Sequence, residues 1–179
     1  MCIRDRDNIE ASYEATKHLL EKGIKNIAFV GVKKEVANAW GDRFLGYEKA
    51  LKEAGLEVDE DLVYLQNLKY KTGSDAAEKF LSLSKKFEGV VCASDEIAMG
   101  VINGLREKGI NTPDDVSVIG FNNNAVASYF YPRLTTVNQP SYDMGSVAMR
   151  MLIKILNNKP LEEGQYVLDY KLIQRESCK

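Results

Sequence analysis

Four short apolar runs, each followed by an amphipathic stretch or a turn, constrain this chain more than any other feature. They cover residues 27–30, 62–65, 89–93 and 116–121. Each has the length of a buried strand and is too short for a buried helix. Between them, apolar residues recur at helical spacing: Phe44, Tyr47, Leu51 and Ala54, then Ala77, Phe80 and Leu81, then Ala98, Val101, Ile102 and Leu105. An earlier helix is expected over 12–22, with Ala15, Leu19 and Leu20 on one side. Gly23, Gly55 and Gly109 stand where left-handed helix C-caps are wanted. Ser94 or Asp95 can cap the helix that follows the third run. Each link is long enough to be a crossover, so the fold class is α/β: a parallel sheet with helices on both faces and right-handed connections. A flavodoxin-like strand order is expected.

The C-terminal third leaves this rhythm. Residues 134–137 read as a short extended piece ending in Gln139-Pro140. Then Met144, Val147, Ala148, Met151, Leu152, Ile155 and Leu156 form the most regular helical stripe in the chain. A last strand is expected over 167–173. These pieces read as parts of a second lobe. The expected organisation is therefore a start foreign to the native gene at 1–6, one α/β lobe at 7–125, a crossover strand and helix of an incomplete second lobe at 126–160, and a returning strand at 161–179.

Composition narrows the function classes. The 179 residues suffice for one sizeable core. Net charge is −2, with Lys and Arg dispersed among Glu and Asp. That is a solvated surface and not the basic face of a nucleic-acid binder. No apolar run approaches the ~18 residues of a membrane helix. Met1 to Asp7 contains no apolar stretch that would read as a secretion leader. Of the three cysteines, Cys2 and Cys178 lie at the ends and Cys92 sits in an apolar run, a pattern expected of a reducing cytoplasm.

In a parallel α/β sheet, ligands bind beyond the carboxyl ends of the strands. Here those positions carry Asn38, Trp40 and Arg43 after the first run, Ser94, Asp95 and Glu96 after the third, and Asn122, Asn123 and Asn124 after the fourth. Such a set suits a polyhydroxylated ligand: carboxylate accepts, Arg donates in a fork, Asn does both, and a Trp face covers the apolar side of a pyranose. Taken singly each residue has a plainer account. Asp95 can be a helix cap, Arg43 a surface charge, Trp40 packing, and the Asn run a turn that tolerates left-handed backbone. Their shared placement raises the functional reading. An enzyme is not expected. The lone His18 lies mid-helix, no Gly-x-Ser-x-Gly or phosphate loop is present, and Asp95 and Glu96 are helix neighbours that do not face each other. No cofactor or metal site is expected.

The segments HLLEKGIKNIAFVG, RFLGYEKAL, ASDEIAMGVINGLREKG, DVSVIGFNNN and PRLTTVNQPSYDMGSVAMRMLIKIL, in that order, resemble the LacI/GalR transcription regulators over about residues 7–177. The FNN triplet and TTVNQPSYDMG look most like the carbon-catabolite and maltose-type regulators of Gram-positive bacteria. The resemblance implies the C-terminal lobe of a two-lobed periplasmic-binding-protein-like fold, with a piece of the other lobe. It implies an effector held in the cleft by Arg43, Asp95 and Asn122, a position where many members carry Asp. It also implies a DNA-binding head elsewhere in the whole protein, a homodimer on operator DNA, a sugar or sugar-phosphate effector with maltose-type ligands favoured, a phosphocarrier corepressor in the catabolite-control subgroup, and allosteric control by the lobe angle. The alternative is a sugar-binding protein of a transport system, which shares the fold.

Overall fold

The computed structural model describes residues 7–32, 39–161 and 168–179. The chain runs α1 (Asn8–Glu21), β1 (Ile27–Val32), α2 (Ala39–Glu53), β2 (Val63–Gln66), α3 (Tyr70–Ser82), β3 (Gly89–Cys92), α4 (Asp95–Glu107), β4 (Ser117–Asn122), β5 (Thr135–Asn138), α5 (Ser141–Leu156) and β6 (Lys171–Ile173). Local chemistry sets the helix ends. The Asp7 carboxylate accepts from the Glu10 amide, and the Ser94 hydroxyl accepts from the Ile97 amide. Gly109, at φ +78°, closes α4, with the Ile110 amide reaching back to the Leu105 carbonyl.

One six-stranded sheet results, in the order β2-β1-β3-β4-β5-β6. The first five strands are parallel and follow the expected flavodoxin-like order; β6 joins the edge antiparallel to β5. The direction of winding reverses between β1 and β3. Right-handed crossovers therefore place α1 and α2 on one face and α3 and α4 on the other. Each helix pair crosses at a glycine. A Cβ on Gly46 of α2 would lie 2.1 Å from the Ile9 carbonyl oxygen of α1, and one on Gly100 of α4 would lie 2.0 Å from the Tyr70 carbonyl oxygen of α3. Phe29, Val30, Val91, Cys92, Ile119 and Phe121 supply the strand side of the core.

The C-terminal part corrects one expectation. Residues 135–138 do not belong to a separate lobe: β5 is the fifth strand of this sheet, with Asn122 opposite Asn138 in register. Thr135, Thr136 and Val137 are buried, so both faces of the strand are covered, as in the interior of a parallel sheet. The boundary expected at 125–126 therefore cuts through the lobe. β6 comes back to this sheet and pairs antiparallel with β5 over 171–173, within the segment where a returning strand is expected. Helix α5 differs: it buries only Val147 and Met151, and Ile153 and Leu156 of its apolar stripe region are 50% and 72% exposed. Among the described residues no helix is long and apolar enough to cross a membrane. The segment 1–6, Asn38 and Val167 lie outside the described residues.

Candidate functional site

The carboxyl ends of β1, β3 and β4 meet at the switch point of the sheet, and the sequence-selected residues gather around it. Arg43, on the first turns of α2, is buried, at 1% exposure. Its Nε donates to Asn8 Oδ1 at 3.2 Å, and Nη1 donates to the Ala93 carbonyl just past β3. The guanidinium carbon lies 3.7 Å from the Phe121 ring centroid and 4.2 Å from that of Trp40. A buried cation is costly unless it is paired or hydrogen-bonded. Here two acceptors and two aromatic faces offset the lost water, and a desolvated cation–π contact contributes ~2 kcal/mol. The close α1–α2 crossing at Gly46 brings Asn8 into reach.

Asp95 is the first residue of α4, and Ser94 is the cap. The capping account of Asp95 therefore falls away. Its carboxylate turns to the sheet: Oδ1 accepts from the Thr136 hydroxyl of β5, and Oδ2 accepts from the Asn124 amide at 2.7 Å. Gly120 of β4 makes room, since a Cβ there would lie 2.5 Å from Asp95 Oδ1. Burial pushes the Asp95 carboxyl up to about 6; the Thr136 and Asn124 hydrogen bonds and the charges of Arg175 and Arg43 pull the other way. With 0% exposure and both oxygens engaged, Asp95 ties the start of α4 to the turn after β4. Glu96 points elsewhere and accepts from the Tyr70 amide at 3.2 Å. The adjacent carboxylates thus diverge, as expected of helix neighbours.

The turn after β4 holds two consecutive non-glycine residues at positive φ, Asn122 at 113° and Asn123 at 54°. Asn is among the few residues that accept such backbone. The Asn123 amide group is engaged at both ends: Nδ2 donates to Asn138 Oδ1 at 2.8 Å, and Oδ1 accepts from Arg175 Nη2 at 2.7 Å. Asn122 is different. Its Oδ1 is buried and has no hydrogen-bond partner, and the same is true of Gln139 Nε2 just beyond β5. The Gln139 backbone amide donates to the Asn122 backbone carbonyl at 3.4 Å, so one unpaired side-chain acceptor and one unpaired side-chain donor belong to neighbouring residues at the strand ends. A buried polar atom left unpaired costs ~1–3 kcal/mol. A ligand that pairs with it recovers that cost.

Five contributors are not marked by the sequence pattern: Asn8, Phe121, Thr136, Gln139 and Arg175. Phe121 and Thr136 are strand residues whose face periodicity does not reveal. Gly120, a glycine inside a strand, was the available signal for a close approach. Asn8 and Arg175 come from opposite ends of the chain, and no local pattern links them to the site.

The fold has known counterparts. Residues 16–178 match the family described as periplasmic binding protein-like domain. The chain belongs to that family. The relatives of this periplasmic binding protein-like domain include the HTH-type transcriptional regulator RegA of Clostridium saccharobutylicum, 61% identical over 171 residues, which are 96% of this chain and 52% of the relative. Two solved structures share its shape at a TM-score of 0.90. The transcription regulator CcpA of Lactococcus lactis is 36% identical, with 98% of this chain and 64% of the other covered. The transcriptional regulator CelR, solved as a cellobiose complex, is 34% identical, with 97% and 53% covered. The domain spans about half the length of the curated relatives it matches.

Proposed function

We propose that this chain is the effector-sensing part of a LacI-type transcription regulator of carbohydrate metabolism, working in the cytoplasm, and that its ligand is a neutral sugar or sugar phosphate bound at the carboxyl ends of β1, β3 and β4. The observation that carries the reading is the pair of buried polar atoms without hydrogen-bond partners at those ends, the acceptor Asn122 Oδ1 and the donor Gln139 Nε2, whose missing bonds sugar hydroxyls supply once the side chains covering them shift. Trp40 is partly buried against the Arg43 guanidinium and supplies an apolar platform. Arg43, Asp95 and Asn123 complete the site. Arg43 underlies the Trp40 ring, and Asp95 and Asn123 hold the turn that carries Asn122. The regulator relatives and the cellobiose in the CelR structure support a sugar effector and a role in transcription rather than transport or catalysis. Maltose-type ligands remain the favoured class.

In the whole regulator the unburied face of α5 packs on a second lobe. A helix-turn-helix head contacts operator DNA, and two copies form a dimer, with a phosphocarrier protein as corepressor. The effector acts by binding one lobe angle more tightly than the other, which is what allosteric coupling requires.

The test uses the longest natural chain that contains this sequence. Calorimetric titration with maltose, maltodextrins, cellobiose and glucose 6-phosphate is expected to find a binder, and Asn122→Ala to weaken it about tenfold, the loss of roughly 1.4 kcal/mol. A panel with no binder, or turnover of any member, overturns the reading.

A further inference from the structure

Arg175 follows β6 in the C-terminal tail, 52 positions from Asn123 in sequence. It nevertheless reaches the strand-end turn. Its Nη2 donates to Asn123 Oδ1 at 2.7 Å, its Nη1 donates to the Leu134 carbonyl at 2.7 Å, and its backbone amide donates to Thr135 Oγ1 at 2.9 Å. One planar fork thus joins the start and the end of the loop between β4 and β5. The bond to Asn123 Oδ1 fixes which way that amide group faces, leaving Nδ2 directed at Asn138. The Asn123 backbone amide donates to Thr136 Oγ1, the same hydroxyl that serves Asp95. The side chain of Asn123 is therefore a strut, and Arg175 is what loads it.

We propose that Arg175 is a positioning residue for the effector site: without touching ligand, it holds Asn123 so that Asn122 keeps its positive φ and, with it, the position of its Oδ1. The inference rests on the effector reading above and adds a residue to it. Tail anchoring is a separate matter, because Ser177 performs it. The Ser177 hydroxyl donates to the Val118 carbonyl and accepts from the Thr135 amide, and its carbonyl accepts from the Val118 amide. Glu176 adds a pair with Arg133 at the surface. The Arg175 side chain can thus be changed while the tail stays docked. Lysine offers a point charge in place of a fork and can serve Asn123 or Leu134, not both with the same geometry.

The experiment compares wild type, Arg175→Met, Arg175→Lys and the tail control Glu176→Gln in the longest natural chain. It measures sugar affinity by calorimetry, hydrogen exchange of the Asn123 and Asn124 backbone amides without ligand, and melting temperature. Arg175→Met is expected to weaken the bound sugar tenfold or more and to speed both amides at least tenfold, while the melting temperature moves by no more than about 3 °C. Arg175→Lys should recover part of both losses, and Glu176→Gln should stay within twofold of wild type. Unchanged amides in Arg175→Met overturn the clamp; loosened amides with affinity within twofold overturn its role in binding. If Arg175→Met does not fold, Asn123→Ala cuts the same link from the other side, and the Asn124 amide and the affinity then decide between the same outcomes. If wild type binds no sugar of the panel, the effector reading falls, and the clamp stands or falls on the amide exchange alone.

Discussion

Helices α4 and α5 carry comparable apolar stripes and meet opposite fates. In α4, Ile97, Ala98, Val101, Ile102 and Leu105 are all buried between the sheet and α3, and its first turn supplies Asp95 to the candidate site. In α5, Val147 and Met151 are the buried residues, and Met149, Leu152, Ile153, Ile155 and Leu156 face solvent. The contrast teaches that helical periodicity records a face built for burial, while burial itself needs a partner in reach. For α4 the partners are β3, β4 and α3 of the same lobe. For α5 the outer part of the stripe, Leu152, Ile155 and Leu156, stays at the surface, which is the physical basis for proposing that it packs on a facing lobe.

The same substitution in the two helices gives the sharpest contrast. A Cβ on Gly100 of α4 meets the Tyr70 backbone, whereas one on Gly145 of α5 meets nothing within 4 Å. Gly100→Ala is expected to destabilise the chain by about 3 kcal/mol, because two helix backbones must move apart. Gly145→Ala is expected to stabilise it by about 0.5–1 kcal/mol through helix propensity. Denaturant unfolding of both variants checks this, and equal effects would erase the distinction between the helices.

Next in size is a pH effect confined to the buried end of α4. Asp95 is raised from 3.8 to about 6 in the folded chain, mainly by burial. Below pH 4 it is protonated both folded and unfolded. As pH rises from about 4 to about 6 the unfolded chain loses the proton first, so stability falls, and above that range the penalty is complete. Relative to Asp95→Asn, wild type should lose up to about 3 kcal/mol across this window. A stability difference that stays flat from pH 4 to 7 would show that Asp95 is not desolvated as its packing implies.

The smallest folding effect, with the clearest change in association, belongs to the open face of α5. Ile153→Lys with Leu156→Lys should alter stability by no more than about 0.5 kcal/mol, since neither side chain is buried. The wild-type 179-residue chain should associate at high concentration in sedimentation, and the double variant should not. A sharp wild-type monomer under those conditions would mean that the exposed stripe is harmless.

Much of this molecule is determined by sequence alone. The four apolar runs and the helical spacings between them specify an α/β sheet, because strand and helix burial leave different periods in the chain. The strand ends then point to Trp40, Arg43, Asp95, Asn122 and Asn123, because a parallel sheet exposes its ligand-binding edge at those positions. Tertiary structure decided what each of them does. Arg43 lies between Phe121 and Trp40, Asp95 turns to Thr136, and Asn123 is held between Asn138 and Arg175, while Asn122 keeps an unpaired oxygen. It also placed β5 in the main sheet and left α5 outside it. Periodicity reports only how much of an element is buried. Which residues meet depends on contacts between segments tens of positions apart, such as the tail and the turn after β4, and those form only when the chain is folded.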